Sequence, residues 1–114
     1  MRKKDELVIR VCEALVDEEL IEGYAYNHFR QSEAVPPPFA IYRRIAQENT
    51  SADNKVYYRG GGIDLELYAS TPDEMTDIMV RVEQLLDGEE IFYNCTADTV
   101  YIESEDFYES LYEL

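Results

Sequence analysis

The sequence predicts an α+β domain: a mostly antiparallel β-sheet with two main α-helices packed on one face. Three observations carry that prediction. Residues 5–22 and 72–87 repeat apolar side chains at helical spacing. Between and after them, short runs rich in β-branched and aromatic residues alternate with polar ones at a period of two. The length, 114 residues, suits one domain and is too short to expect two, so helices and strands must share one core. The order helix, three strands, helix, two or three strands is that of a sheet with its helices to one side.

In chain order, residues 5–22 read as the first helix. Val8, Val11, Cys12 and Leu15, with Ile9, Val16 and Leu20, recur at three, four and seven and form a wide apolar stripe. Glu18, Glu19 and Glu22 crowd its last turn, which the helix dipole disfavours, and Gly23 offers a left-handed stop. Residues 24–35 read as a connection, and Pro36, Pro37 and Pro38 force extended chain. A strand is expected at about 39–46, with Phe39, Ile41 and Ile45 on one face. Arg43 shares that face, an imperfection that cover by another subunit would explain. Residues 47–54 form a polar loop, and a strand resumes at about 55–59.

Gly60, Gly61 and Gly62 make either a hairpin turn or a wide bulge in one long strand. With neither a GK[ST] sequence nor a helix start behind them, they are not a phosphate loop. Ile63, Leu65, Leu67 and Ala69 then alternate with Asp64, Glu66 and Tyr68, giving a half-buried strand over about 63–69. Thr71, Pro72, Asp73 and Glu74 are a capping box that opens the second helix, 72–87. Met75, Ile78, Met79, Val82, Leu85 and Leu86 form its stripe and Gly88 ends it. Strands follow at about 91–95 and 99–103. Residues 107–114 suit a strand or a helix, and the surrounding β-formers favour strand.

The formal net charge is −15, unevenly spread. Residues 1–59 hold nine Lys and Arg against ten Asp and Glu, a net −1; residues 60–114 hold Arg81 against fifteen acids, a net −14. Such a balance excludes wrapping a phosphate backbone through broad basic contacts. No run approaches the ~18 apolar residues of a membrane span. No signal-peptide pattern follows Arg2, Lys3 and Lys4, so a cytoplasmic chain is expected. Cys12 and Cys95 lack metal-ligand spacing and read as buried free thiols, with a disulfide or metal role as the alternative.

Catalytic chemistry finds little support. His28 is the only histidine and has no nucleophile motif beside it, so it reads as a surface or interface residue. Asp64 and Glu66 share a strand face roughly 6.6–6.8 Å apart. A magnesium-dependent nuclease would want a Lys two positions on, where Tyr68 stands instead, so a solvated face is the plainer reading. Two Cys and one His do not readily make a zinc site. No enzyme, cofactor or metal is expected. Ten tyrosines without a tryptophan point to an interface, because tyrosine adds contact area at low entropy cost.

Five short blocks carry a resemblance. They are Pro37–Arg43 (PPFAIYR), Ser51–Tyr58 (SADNKVYY), Leu65–Tyr68 (LELY), and Tyr101–Glu105 (YIESE) followed by Leu111–Leu114 (LYEL). In this order they resemble the tail terminator, or tail completion, proteins of long-tailed bacteriophages and prophages, over about residues 36–114. The glycine triplet departs from that pattern. The resemblance implies an α+β subunit of a homohexameric ring that caps the tail tube, ends its polymerisation and joins the tail to the head. Its partners would be further copies of itself, the major tail tube protein and the head–tail connector or stopper protein. DNA would pass through without specific binding. The protein would reside in the virion at the head–tail interface and in the host cytoplasm during assembly.

For such a ring, Tyr42, Arg43, Arg44, Lys55, Tyr57, Tyr58 and Arg59 are the candidate interface residues. Asp64, Glu66, Glu103 and Glu105 are candidate channel-facing or inter-subunit acids. The expectation is that cations of the neutral half meet acids of the neighbour's other half. The competing reading is a small acidic DNA mimic that inhibits a DNA-binding protein, using Glu103, Glu105, Asp106, Glu109 and Glu113 in place of phosphates.

Overall fold

A computed structural model describes residues 3–45 and 62–114. The loop expected at 47–54, the strand expected at 55–59, and Gly60 and Gly61 lie outside these residues. The described elements are α1 (Lys3–Asp17), β1 (Gly23–Tyr26), a 3-10 turn (Gln31–Glu33), β2 (Phe39–Ile45), β3 (Gly62–Ala69), α2 (Pro72–Gly88), β4 (Asn94–Ile102) and β5 (Phe107–Glu113). The fold is α+β, as the sequence predicts. Five strands form one sheet in the order β1-β2-β3-β5-β4. β1 runs parallel to β2, and every other neighbouring pair is antiparallel.

Both helices cover the same face of the sheet and bury their stripes there. Leu7, Val8, Val11, Cys12 and Leu15 of α1 join Met75, Ile78, Met79, Val82 and Leu86 of α2 over Ile63, Leu65, Leu67 and Ala69 of β3. Each fully buried Leu or Ile contributes about 1.5–3 kcal/mol, which makes this layer the main source of stability. Tyr112 and Ala40 complete the layer from β5 and β2. Among the described residues, no helix is long and apolar enough to cross a membrane.

The capping box of α2 forms: Thr71 Oγ1 accepts from the Glu74 N–H at 3.1 Å, and Glu74 reaches back to the Ser70 N–H at 2.8 Å. The helix ends differ from expectation. α1 stops at Asp17, not at residue 22, and Gly23 opens β1 instead of capping the helix. Glu19 takes the left-handed conformation (φ 63°), with Leu20 N–H bonding Leu15 C=O and Glu19 N–H bonding Val16 C=O. That is a Schellman motif, and it turns Leu20 and buried Ile21 back onto the core. α2 ends the same way at Glu90 (φ 60°), with Ile91 bonding Leu86 and Glu90 bonding Asp87.

The two helices run antiparallel and brace each other's acidic ends. Arg81 of α2 holds Glu18 beyond the α1 C-terminus at 2.8 Å, and Arg10 of α1 approaches Glu89 beyond the α2 C-terminus at 3.4 Å. Neither last turn contains a basic residue of its own, so these cations supply what the helix dipoles lack.

Three further expectations are corrected. β1 occupies part of the expected connection. Residues 91–93 are not strand, and the two strands expected at 91–95 and 99–103 are a single strand, β4. Irregular register marks β4 between Cys95 and Ala97 and between Ala97 and Val100, with Thr99 at positive φ. Both cysteines are free, but only Cys12 is buried; Cys95 is exposed. Burial pushes the Cys12 thiol up to about 12, with Glu13 adding to the effect.

Candidate functional site

The pairing register assigns every strand residue to a face. Ala40, Tyr42 and Arg44 stand with Leu67, Leu65 and Ile63 on the helix side. Phe39, Ile41, Arg43 and Ile45 therefore lie on the other side, opposite Tyr68, Glu66, Asp64 and Gly62. The apolar face of β2 thus points away from the helices. Its small residue, Ala40, is the one buried beneath them. β5 continues the same side with Phe107, Glu109, Leu111 and Glu113.

This side of the sheet carries a polar network. Arg43 Nη2 donates to Glu66 Oε1 at 3.2 Å, and Arg43 Nε stands 3.1 Å from Glu66 Oε2, too poorly aligned to be a hydrogen bond. Tyr68 Oη lies 2.7 Å from Glu66 Oε1 and 2.9 Å from Glu109 Oε2. A phenol has one proton to donate, so the two carboxylates compete for it. Burial, and then the bond to Glu66, push the Tyr68 hydroxyl far above its ordinary range, which keeps it protonated. Burial also raises the Asp64 carboxyl, with Glu113 and Glu66 adding to the rise and Arg43 opposing it.

An aromatic cluster adjoins the network. The Phe39 ring stacks on Tyr68 with centroids 4.8 Å apart, and Phe107 meets Tyr68 edge-on at 5.2 Å. Phe29 meets Phe39 edge-on at 5.4 Å. The apolar and charged parts of this face are thus joined through one residue, Tyr68.

At its two ends the sheet presents edges. Among the described residues, β1 pairs with β2 alone and β4 with β5 alone. Tyr26 on β1, and Val100 and Tyr101 on β4, are each close to half exposed, and Phe92 just before β4 is 82% exposed. Among the described residues, the strand order puts β1 and β2 at one end of the sheet and β5 and β4, from the acidic half of the chain, at the other.

The candidate residues separate into four places. Tyr42 is half-buried on the helix side and meets Tyr26 edge-on at 5.2 Å. Arg44, on the same side, holds buried Asp5 of α1 at 2.9 Å. Arg43, Asp64 and Glu66 meet on the opposite face. Glu103 and Glu105 are exposed in the β4–β5 turn, while Lys55, Tyr57, Tyr58 and Arg59 lie outside the described residues. Arg43 and Arg44 thus find their acidic partners within the chain. Among the described residues no cluster of His, Cys, Asp and Glu is arranged to hold a metal ion.

Sequence reasoning missed Phe29, Phe107 and Glu109 as members of this face. The odd-numbered residues of β5 carried a usable signal, since Phe107, Glu109 and Leu111 alternate with Tyr108, Ser110 and Tyr112. Nothing local signals the contact of Phe29 with Phe39, which depends on β1 lying beside β2. Comparison with known protein families, with curated proteins and with solved structures finds nothing that matches this chain.

Proposed function

We propose that this chain is a structural virion protein, a tail terminator of a long-tailed bacteriophage, and not an enzyme. In this reading six copies close into a ring on the tail tube, end its growth and present the surface that docks on the head connector or stopper protein. One observation carries the reading. The blocks that resemble the family and fall in described residues sit on β2, β3, β5, the end of β4 and the β4–β5 turn, which are neighbours in one sheet.

The exposed acids of the β4–β5 turn, Glu103 and Glu105, fit a channel wall that repels DNA as it passes. Light scattering over a concentration series tests assembly. The expected species is six times the 13.3 kDa chain, in solution or after addition of tail tubes. Particles that remain single chains in both conditions count against the reading.

The DNA-mimic alternative draws on residues 103–113, which hold five acids and no Lys or Arg. Its proposed row of carboxylates is broken, however. Glu109 is tied to Tyr68, and Asp106 accepts a bond from Tyr101 at 2.7 Å. Tight binding to a DNA-handling enzyme by a strict monomer is the outcome that would favour it.

A further inference from the structure

We propose that the bulged middle of β4 is a guard, a built-in irregularity that keeps this edge of the sheet from taking up a strand of another chain. The inference does not depend on the ring reading.

β4 is the edge at which such pairing is to be expected. Among the described residues it pairs with β5 alone. Its second half, Thr99-Val100-Tyr101-Ile102, is β-branched or aromatic throughout, and Val100 and Tyr101 are 46% and 48% exposed. An exposed edge of this composition is a template for a further strand, which would bond to its outward N–H and C=O groups. A regular edge repeats those groups at every second residue, about 6.6–6.8 Å apart.

β4 breaks that repeat twice. Nine residues of β4 oppose seven of β5, so two are extra. Cys95 stands opposite Tyr112 and Ala97 opposite Leu111, which leaves Thr96 over. Val100 stands opposite Glu109, so Asp98 and Thr99 together face Ser110. Each extra residue disrupts the ladder, bends the strand and increases its twist.

The second bulge is strained and firmly held. Thr99 has φ 55°, a left-handed conformation that β-branched residues rarely take. Its N–H donates to Ser110 Oγ at 2.8 Å, and its hydroxyl donates to Asp98 Oδ1 at 2.7 Å. Ser110 is fully buried and donates its own proton to Met79 Sδ of α2 at 3.2 Å. One hydroxyl thus ties the bulge of the edge strand to the core layer. A strained residue persists only where its surroundings over-determine it. A straight β4 would relieve Thr99, but it would leave the edge open to another chain.

Straightening the strand tests the guard. Deleting Thr96 and Asp98 leaves seven residues of β4 opposite seven of β5, with every paired residue still on its present face. Hydrogen exchange of the β4 amides over a concentration series, with thioflavin T fluorescence, reads strand addition directly. In the wild type, exchange in β4 is expected not to depend on concentration, even within six-chain particles. In the straightened variant, protection of β4 should rise several-fold with concentration and thioflavin T binding should appear. Ser110→Ala, which removes the tie to Met79, should shift both readouts the same way and decides the matter if the deletion does not fold. Thr99→Gly keeps the bulge and relieves its strain, so it should raise the melting temperature without either change. Folded deletion and Ser110→Ala variants that exchange like wild type and bind no thioflavin T overturn the guard. So does wild-type β4 protection that rises with concentration, whether or not the particles contain six chains.

Discussion

Two glutamates stand where glycine is usual. Glu19 and Glu90 both hold the left-handed position that ends a helix, at φ 63° and 60°. That conformation costs a side-chain-bearing residue about 1–2 kcal/mol, of which glycine would give back part through its own entropy in the unfolded chain. Each glutamate also adds negative charge at the negative end of a helix dipole. Glu90→Gly is therefore predicted to stabilise the protein by about 0.5–1 kcal/mol, read as a higher midpoint in urea unfolding with an unchanged slope. Asp64 supplies a second prediction at this scale. Burial raises its carboxyl, so ionising it is harder in the folded than in the unfolded chain. The penalty is absent below the unfolded pKa, about 3.9, and complete above the raised folded value. Asp64→Asn should raise the melting temperature at pH 7, and the gain over wild type should shrink as pH falls towards 4.

Among the elements, the reciprocal bracing of the helices is the feature most open to test. Arg81 and Glu18 are each more than a third exposed, so the pair is screened by solvent. Arg81→Ala is predicted to lower the urea midpoint only slightly, with the difference from wild type narrowing in 1 M salt. Leu67→Ala, by contrast, opens a cavity beneath both helices and should cost about 2–5 kcal/mol whatever the salt. The same scale shows what a sequence can disclose. α2 was legible because Thr71, Pro72 and Glu74 set its start, and β3 because Ile63 to Ala69 alternate without a break. The inward face of β2 was not legible. Hydrophobicity points to Phe39, Ile41 and Ile45, whereas the helices leave room on their side for Ala40 and use Arg44 to hold Asp5. β1 was hidden for a related reason: four residues have little pattern, and parallel pairing with β2 is a tertiary event. β4 looked like two strands because an edge strand tolerates polar residues, and its first half, Asn94 to Asp98, is mostly polar. The C-terminus of α1 was misplaced because its left-handed residue was sought at Gly23.

For the whole molecule, the described strands β1 and β2 lie at one end of a single sheet and β5 and β4, from the acidic half of the chain, at the other. The candidate cations were legible as residue types but not as partners. Arg43 and Arg44 settle on Glu66 and Asp5 of their own chain, which no spacing rule reveals. The exposed acids of the β4–β5 turn lead to a prediction at this scale: in reconstituted virions, Glu103→Lys combined with Glu105→Lys should slow DNA passage without changing the number of assembled tails. The central claim, a ring that caps the tail tube, is tested most directly by electron microscopy of tail tubes polymerised with and without this protein. The account predicts tubes of bounded length that end in a six-fold ring when the protein is present. Tubes that keep growing, with bare ends at every concentration of the protein, would contradict it.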